Sequence, residues 1–287
     1  MFSAVPIISI RYNSICMYYQ SAVKSRGMSA SMRLHIQNLR AMAKYTGIVT
    51  TSSQKLIRKS VDKFLQLSTT KRVVNPITNR VQKFKLTFVT LTISENERML
   101  TASEAYQKCL KPWLRIMKEK YEVDLYLWKA ELQERGQIHY HVTLNDWVHY
   151  SDVRNTWNNI QNRCGLLDTF HAKYGHKDPN STDIHSVYKI KNIHAYLTKY
   201  LSKSESNKGA TIGKIWDCSK RIKSFKYVSF EATDLNKEAL KIGEIYKLIN
   251  VRYYENCTMY NSGKIHVLTA LEEAQRKVYK EAINLKL

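Results

Sequence analysis

Two β-rich runs separated by three turn residues constrain the fold of this chain more than any other feature. The runs are "VDLYLWKAELQ" and "QIHYHVTLN", and "ERG" stands between them (residues 123–145). A three-residue hairpin loop needs a left-handed residue at its last position, and Gly136 supplies it. The spacing therefore predicts an antiparallel hairpin in which Glu131 lies directly opposite His139.

Elements on either side of the hairpin complete the order β-α-β-β-α-β. "KFKLTFVTLTI" (83–93) is apolar at both odd and even positions, which predicts a central strand. Residues 102–121 predict a helix that Pro112 kinks or restarts. Ser151 is placed to cap the next helix, and "DIHSVYKI" (183–190) alternates like a fourth strand. This order predicts an α+β fold, with an antiparallel RRM-like or ferredoxin-like sheet and helices on one face.

The flanking segments have weaker patterns. Residues 1–80 predict a basic, mainly helical extension, in which Ser52 or Ser53 caps a helix over "QKLIRKSVDKFLQL". Residues 81–232 predict the catalytic domain, with "FKYVSF" as a further strand. Residues 233–287 predict a helix-rich C-terminal α/β extension, with helices over "NKEALKIGEIYKLIN" and "EEAQRKVYKEAINL" and a hairpin at "NSGK".

The chain is strongly basic, since 46 Lys and Arg against 24 Asp and Glu give a formal net charge of +22. The excess is greatest in residues 1–80, where Asp62 is the one acid. Such a charge opposes folding through self-repulsion unless polyanions are the usual partner, so it favours nucleic acid. A second basic stretch, residues 181–230, is interleaved with aromatic residues, which suits a single strand whose bases stack.

The predicted hairpin aims three potential metal ligands at one point. His139 and His141 are two residues apart on a strand, so their side chains share a face with Glu131 on the opposite strand. Two imidazoles and one carboxylate suit Mn²⁺ or Zn²⁺, whereas Mg²⁺ would need waters or phosphate oxygens to complete its shell. Glu134 is an alternative third ligand, because a β-bulge would shift the register. Chance alone also explains a His-x-His in a chain with nine histidines.

The run "IHAYLTKYLSK" predicts a helix, with Asn192 at its cap, that places Tyr196 and Tyr200 on one face. Lys199 and Lys203 form a second pair beside them. The tyrosines of an amphipathic helix can also simply pack on a sheet. Beside a metal hairpin, however, a phenol can attack a phosphodiester, because the metal withdraws charge from phosphorus and a lysine stabilises the phenolate.

Taken together, these motifs resemble those of the HUH endonucleases, specifically the two-tyrosine rolling-circle replication initiators of microvirus-type phages and related plasmids. The similarity covers residues 84–205 and rests on "TFVTLTI", on a Glu eight residues before "HYH", and on "YLTKY". It implies an enzyme that nicks single-stranded origin DNA through a 5′-phosphotyrosine intermediate and later joins the strand, to initiate and terminate rolling-circle replication. The site residues that it implies are the metal ligands Glu131, His139 and His141 and the catalytic residues Tyr196, Tyr200 and Lys199.

The resemblance also implies a divalent metal, Mg²⁺ or Mn²⁺, and as partners a single-stranded DNA origin and the helicase and polymerase of the host. "GATIGK" (209–214) departs from a phosphate-binding loop, because its glycines are one residue too close and Ile215 stands where Ser or Thr is required. We therefore expect no nucleotide triphosphate partner. No signal peptide or membrane span is predicted, so we expect a cytoplasmic protein in a bacterial host cell, encoded by a phage or plasmid.

Other interpretations stay open at this stage. A relaxase or transposase of the HUH type would use the same chemistry, and a non-catalytic RRM-like nucleic-acid-binding protein would use the same sheet. RRM-like sheets present aromatic side chains on their central strands, where this chain has histidines. Cys164, His171 and His176 form a weaker candidate zinc cluster, with one thiol and no fourth ligand. The five cysteines contain no CxxC pair, which argues against a zinc module or a disulfide framework.

Overall fold

The computed structural model describes the following residues: 4–12, 14–21, 31, 49–74, 79–94, 100–133, 136–186, 193–202, 213–245, 247 and 249–261. The chain divides into two compact units, residues 1–36 with 225–287 and residues 37–224. The sequence-based domain bounds at 80/81 and 232/233 remain a prediction.

The strands are, in chain order, β1 (Ala4–Ile10), β2 (Ser14–Ser21), β3 (Lys71–Val74), β4 (Val81–Phe84), β5 (Thr87–Thr92), β6 (Tyr126–Leu132), β7 (Ile138–Leu144), β8 (Thr182–Ser186), β9 (Trp216–Cys218), β10 (Ser229–Glu231), β11 (Asn250–Tyr254) and β12 (Cys257–Asn261). The helices are α1 (Thr51–Leu67), α2 (Ala102–Ala105), α3 (Lys111–Tyr121), α4 (Tyr150–Arg163), α5 (Asp168–Tyr174), α6 (Ile193–Ser202), α7 (Lys220–Ser224) and α8 (Asp234–Ile245). A π-helical turn (Tyr106–Leu110) lies between α2 and α3.

The larger unit contains an antiparallel sheet of order β8-β5-β7-β6-β9. Along the chain, strands β5, β6, β7 and β8 and the helices between them follow the predicted β-α-β-β-α-β order, so the α+β prediction is confirmed. β5 lies between β8 and β7, as its apolar character at both odd and even positions predicted. β9 adds a fifth strand beside β6, and its three residues are too few to show an alternating pattern in sequence.

One face of this sheet is the main hydrophobic core. Val89 and Leu91 of β5 and Trp128 of β6 pack with Trp113 of α3 and Trp157 of α4. The helices of the β-α-β-β-α-β unit thus lie on one face, as predicted. The opposite face meets α6, whose Tyr200 contacts Phe88 of β5, and α6 in turn packs against α1.

The helix predicted over residues 102–121 is divided in two. Thr101 and Glu104 form a capping box at the start of α2. Pro112 lies in the first turn of α3, directly after the π-helical turn. Because proline lacks an N–H group and is tolerated in the first turn of a helix, the predicted restart at Pro112 is confirmed.

The smaller unit contains a second antiparallel sheet, of order β10-β1-β2-β12-β11. Its core includes Ile8 of β1, Ile15 of β2, Leu240 of α8 and Tyr260 of β12. Strands β1 and β2 lie in the segment that was predicted to be mainly helical. They pair with β10 and β12, more than 200 residues further along the chain, and no local pattern indicates such distant partners.

Several local predictions need correction. "KFKLTFVTLTI" divides at Lys85 and Leu86, because β4 pairs with β3 in a separate two-stranded sheet. The cap of α4 is His149 rather than Ser151: the His149 ring accepts a hydrogen bond from the backbone N–H of Ser151. The segment after α4 contains the short helix α5, which ends at Gly175 in the left-handed region.

Corrections also apply near the C-terminus. "FKYVSF" forms a strand only at Ser229–Glu231, which pairs with β1. The helix predicted over "NKEALKIGEIYKLIN" ends at Ile245, and the last residue of that run, Asn250, begins β11. The helix predicted over residues 272–285, the cap at Asn192 and the part of "NSGK" after Asn261 lie outside the described residues. No helix in the described part of the chain combines the length and the apolar composition needed to cross a bilayer.

A comparison of two tryptophans tests this packing. Trp157 is fully buried, and its indole N–H donates to the backbone oxygen of Thr92 at 2.8 Å. Trp157→Phe removes this hydrogen bond and part of a fully buried side chain, so it should lower the free energy of unfolding by about 1–3 kcal/mol. Trp147 is 42% exposed, and Trp147→Phe should change it by less than about 0.5 kcal/mol. Urea denaturation measures both; equal losses would contradict this account of the core.

Candidate metal and tyrosine site

The register of β6 and β7 places the three predicted ligands on one face. Glu131 lies opposite His139, as predicted. The N–H of Gln133 donates to the backbone oxygen of Gln137 at 2.8 Å, and Gly136 has a φ of 82°. The predicted pairing and the left-handed glycine are therefore confirmed. Glu134, the alternative ligand, lies outside the described residues.

The donor atoms of Glu131, His139 and His141 lie within 4.8 Å of one another. The two histidine Nε2 atoms are 2.6 Å apart, and His141 Nε2 is 3.4 Å from Glu131 Oε2. Two imidazole nitrogens and a carboxylate oxygen that converge in this way could hold a metal ion. In the described part of the chain, no other group of three or more His, Cys, Asp or Glu side chains converges like this.

The second nitrogen of each imidazole has its own partner. Thr90 Oγ1 lies 3.3 Å from His141 Nδ1, and Thr92 Oγ1 lies 3.4 Å from His139 Nδ1. Gln133 Nε2 is a further partner of His139 Nδ1, at 3.2 Å. Such outer contacts fix the ring orientation and leave Nε2 directed at the metal position. Both threonines belong to "TFVTLTI", and the β5–β7 register places Thr90 opposite His141 and Thr92 opposite His139.

Charges around the cluster favour the protonation states that a metal requires. Burial raises the pKa of Glu131, but hydrogen bonding with His141 and Lys129 and the charge of Lys129 outweigh burial and lower that pKa to about 2. Burial and the nearby His141 lower the pKa of His139 to about 4. At neutral pH the carboxylate is therefore ionised and the His139 imidazole is neutral, and these are the metal-binding forms.

Lys129 is a site residue that the sequence reasoning missed. It is only 2% exposed, and its Nζ lies 2.6 Å from Glu131 Oε1. The signal was present, because Lys129 is two residues before Glu131 on the same strand and therefore shares its face. The hairpin register places it directly opposite His141.

The tyrosine helix α6 brings one of its two phenols against the cluster. The ring of Tyr200 meets His141 edge-on at a centroid distance of 4.9 Å and contacts Phe88 at 5.2 Å. Tyr196 stacks on Tyr200 at 6.3 Å and is 38% exposed. Lys199 is exposed on the same helix. The predicted common face of the tyrosines is thus confirmed, while Lys203 lies outside the described residues.

Part of the basic N-terminal segment lies beside this helix. α1 packs against α6, and Asp62 Oδ1 of α1 is 3.9 Å from His194 Nε2 in the first turn of α6. Three cations of α1 are exposed: Lys55, Arg58 and Lys59. The segment that carries the largest charge excess therefore contributes exposed cations on a helix that packs against the tyrosine helix.

The weaker candidate, Cys164 with His171 and His176, is not one of the converging groups in the described residues. Cys164 Sγ contacts the backbone oxygen of Lys108 at 3.6 Å. His176 packs edge-on against Phe170 of α5 and accepts a hydrogen bond from the backbone N–H of Asp178. These contacts account for both residues without a zinc ion.

The low pKa of His139 predicts a specific pH dependence of stability in chelator-treated protein. Its ordinary value is 6.5 and its folded-state value is about 4. Between these values the unfolded chain binds a proton at His139 that the folded protein does not. The stability that this pKa difference contributes is therefore complete above the unfolded-state pKa of 6.5, and it is lost as the pH falls from there to about 4. His139→Gln should thus lose less free energy of unfolding than the wild type between about pH 7 and about pH 4.

Urea denaturation at a series of pH values measures this difference. His171→Gln, at an exposed position on α5, is the matched control and should keep the pH dependence of the wild type. If His139→Gln loses as much free energy of unfolding as the wild type between about pH 7 and about pH 4, the loss does not come from His139.

Comparison with known proteins shows that the segment carrying this site is similar to one protein family. Residues 86–205 match the model of a family described as replication-associated protein ORF2. Neither a curated protein nor a solved structure matched the chain. The matched segment contains β5, the β6–β7 hairpin and α6, and thus every residue of the candidate site. The matched segment is less than half of the chain, so the match shows a similarity to this family over the segment that carries the site.

Proposed function

We propose that this chain is a metal-dependent DNA endonuclease and strand transferase of the HUH two-tyrosine class. It would nick and rejoin single-stranded DNA at a replication origin, to initiate and terminate rolling-circle replication. The observation that carries the proposal is the convergence of Glu131, His139 and His141 beneath a helix that bears two tyrosines, one of which contacts His141. The family match supports the replication role.

The ligand set fits a divalent cation, with His139 and His141 binding through Nε2 and Glu131 through Oε2. A bound Mg²⁺ or Mn²⁺ would withdraw charge from the scissile phosphate and stabilise its pentacoordinate state. Mn²⁺ accepts two imidazoles readily, whereas Mg²⁺ would depend more on oxygens from DNA and water. Three protein ligands leave coordination positions for phosphate oxygens.

The tyrosines would supply the covalent chemistry. The phenolic oxygen of one tyrosine attacks phosphorus; the new O–P bond forms as the bond from phosphorus to the 3′-oxygen breaks. The phenol proton passes to solvent, and the departing 3′-oxygen takes up a proton to become the hydroxyl that primes synthesis. Lys199 would stabilise the phenolate or hold the scissile phosphate.

A second tyrosine allows the strand to be joined. When synthesis regenerates the origin, the unused phenol cuts it in the same way and releases a new 3′-hydroxyl. That hydroxyl attacks the first phosphotyrosine, which restores a phosphodiester and frees the first phenol. Tyr196 and Tyr200 are one helical turn apart, so both can approach one metal-bound phosphate in turn.

The surroundings of the site suit an extended polyanion. The exposed Lys55, Arg58 and Lys59 of α1 lie on the helix that packs against α6, where they can contact phosphates on either side of the nick. We propose single-stranded origin DNA as the partner. Since no nucleotide-binding loop is recognised in the sequence, strand separation and synthesis would depend on a helicase and polymerase of the host.

The two rival functions are less well supported. A relaxase or transposase would use the same geometry, but the matched family is described as replication-associated. An RRM-like module would bind nucleic acid on the face of β5 and β7. Here that face carries Thr90, His139 and His141, and the side chain of Phe88 is in contact with Tyr200 of α6.

Substitution of the ligands tests the metal. His139→Ala, His141→Ala and Glu131→Ala should each retain DNA binding but lower the nicking rate by about 100-fold or more, because the charge of the pentacoordinate state is no longer offset. Nicking of a single-stranded oligonucleotide is measured with Mn²⁺, with Mg²⁺ and with a chelator.

Glu134→Ala and His171→Ala are the matched controls and should nick at close to the wild-type rate. Chelator-treated wild type that still nicks at full rate would refute the metal mechanism. Loss of nicking in Glu134→Ala with retention in Glu131→Ala would transfer the carboxylate role to Glu134.

Substitution of the tyrosines tests their order of action. Tyr196 stands three residues before Lys199 and is the exposed phenol, whereas the Tyr200 ring packs against Phe88 and His141. Tyr196→Phe should therefore remove most of the covalent adduct on a first-cut substrate. Tyr200→Phe should form that adduct yet fail to release joined circles. Peptide mapping of the trapped adduct identifies the phenol that carries the DNA.

Tyr174→Phe, at an exposed position on α5, is the control and should behave as the wild type. If each single variant nicks and joins normally while the double variant is inactive, the tyrosines are interchangeable and the proposed order is wrong. If the double variant still forms an adduct, neither tyrosine is the nucleophile.

A further inference from the structure

A buried lysine connects the metal hairpin to the tyrosine helix. Lys129 lies on β6 and is 2% exposed. Its Nζ donates to Glu131 Oε1 at 2.6 Å and to the backbone oxygen of Tyr200 at 3.4 Å. One ammonium group thus bonds both a candidate metal ligand and the residue that brings a phenol against His141. The mechanism above assigns no role to this group.

We propose that Lys129 is a positioning residue: it restricts Glu131 to coordination through one oxygen, and it fixes the tyrosine helix relative to the metal ligands. The proposal rests on the function proposed above, because it concerns the same site. Lys129 would set the distance between the nucleophile and the metal.

The two carboxylate oxygens of Glu131 have different partners. Oε1 faces Lys129, whereas Oε2 lies 3.4 Å from His141 Nε2, on the side of the candidate metal position. Rotating the carboxylate to offer both oxygens to a metal would break a short, charge-assisted hydrogen bond to a buried ammonium. Lys129 therefore holds Glu131 as a one-oxygen ligand, which keeps more coordination positions open for phosphate oxygens.

Tyr200 lies in the last turn of α6. Carbonyl oxygens in the last turn of a helix carry partial negative charge, so an ammonium group is a favourable partner for them. Lys129 bonds this carbonyl, while the ring of the same residue meets His141 at 4.9 Å. Backbone and ring of Tyr200 are thus both held against the hairpin.

A structural explanation competes with this one, since Lys129 also neutralises a buried carboxylate. The two differ in what is lost when the lysine is removed. If Lys129 serves only the fold, Lys129→Met should weaken metal binding and catalysis together. If it positions Glu131 and α6, Lys129→Met should still bind Mn²⁺, but with altered coordination and a slower covalent step.

The experiment uses the full chain as wild type, Lys129→Met, Lys129→Arg and the exposed-lysine control Lys111→Met. Calorimetry gives the Mn²⁺ affinity without DNA, and the electron paramagnetic resonance spectrum of bound Mn²⁺ reports its coordination. Single-turnover kinetics over a range of oligonucleotide concentrations separates the rate of adduct formation from the concentration that half-saturates it.

We expect Lys129→Met to bind Mn²⁺ at least as tightly as the wild type, because a nearby positive charge is removed, and to show a changed spectrum. Its adduct rate should fall by about 10–100-fold with little change in half-saturation, which is the usual effect of losing an outer contact to a metal ligand. Lys129→Arg should recover part of the rate, and Lys111→Met should match the wild type.

An unchanged Mn²⁺ spectrum with an unchanged adduct rate in Lys129→Met would overturn the proposal, as would a parallel loss of Mn²⁺ binding and catalysis in a folded variant. If Lys129→Met does not fold, Lys129→Gln replaces it under the same criteria. A wild type that binds Mn²⁺ but forms no adduct refutes the proposed function; the Mn²⁺ spectra then still decide whether Lys129 positions Glu131.

Discussion

The pairing of β6 with β7 is the interaction on which the site depends. Side chains alternate across a strand, so a slip of one residue would move His139 and His141 to the opposite face of the sheet. That face is already occupied, because Trp128, Tyr140 and Val142 are buried there against the helices. The hydrophobic core thus fixes the register, and the register brings the three ligands together.

The ligand face places polar and charged groups in a largely enclosed position, which is unfavourable unless they are paired. Thr90, Thr92 and Gln133 contact the imidazole nitrogens that do not converge. The buried ammonium of Lys129 compensates the charge of Glu131. Each group of the cluster therefore has a partner that compensates its burial and also restricts its orientation. The contacts that allow these groups to be buried thus also preorganise the site.

As a helix, α6 forms no strand pairing with the hairpin, so side-chain contacts determine its place. Leu197 and Leu201 are buried on one side of the helix, and Tyr200 rests on Phe88 and His141. α1 packs against the same helix, although more than 120 residues separate the two in sequence. The larger unit therefore includes part of the basic N-terminal segment, on a helix that packs against the tyrosine helix.

Much of this arrangement could be predicted from the sequence, because it depends on local periodicity. The alternation of β6 and β7, the left-handed Gly136 and the one-turn spacing of Tyr196 and Tyr200 fix which side chains share a face. The same reasoning failed where a partner is distant. β1 and β2 were missed because β10 and β12 complete their sheet, and β9 because three residues carry no pattern.

The sequence by itself determined the β-α-β-β-α-β order, the convergence of Glu131, His139 and His141, and the common face of the tyrosines. Each follows from the period of a helix or a strand and from the length of one turn. Only the tertiary structure decided that Lys129, which neighbours Glu131 on β6, also bonds the carbonyl of Tyr200, and that α1 lies beside α6. Those contacts join elements far apart in the chain, where packing rather than periodicity sets the distance.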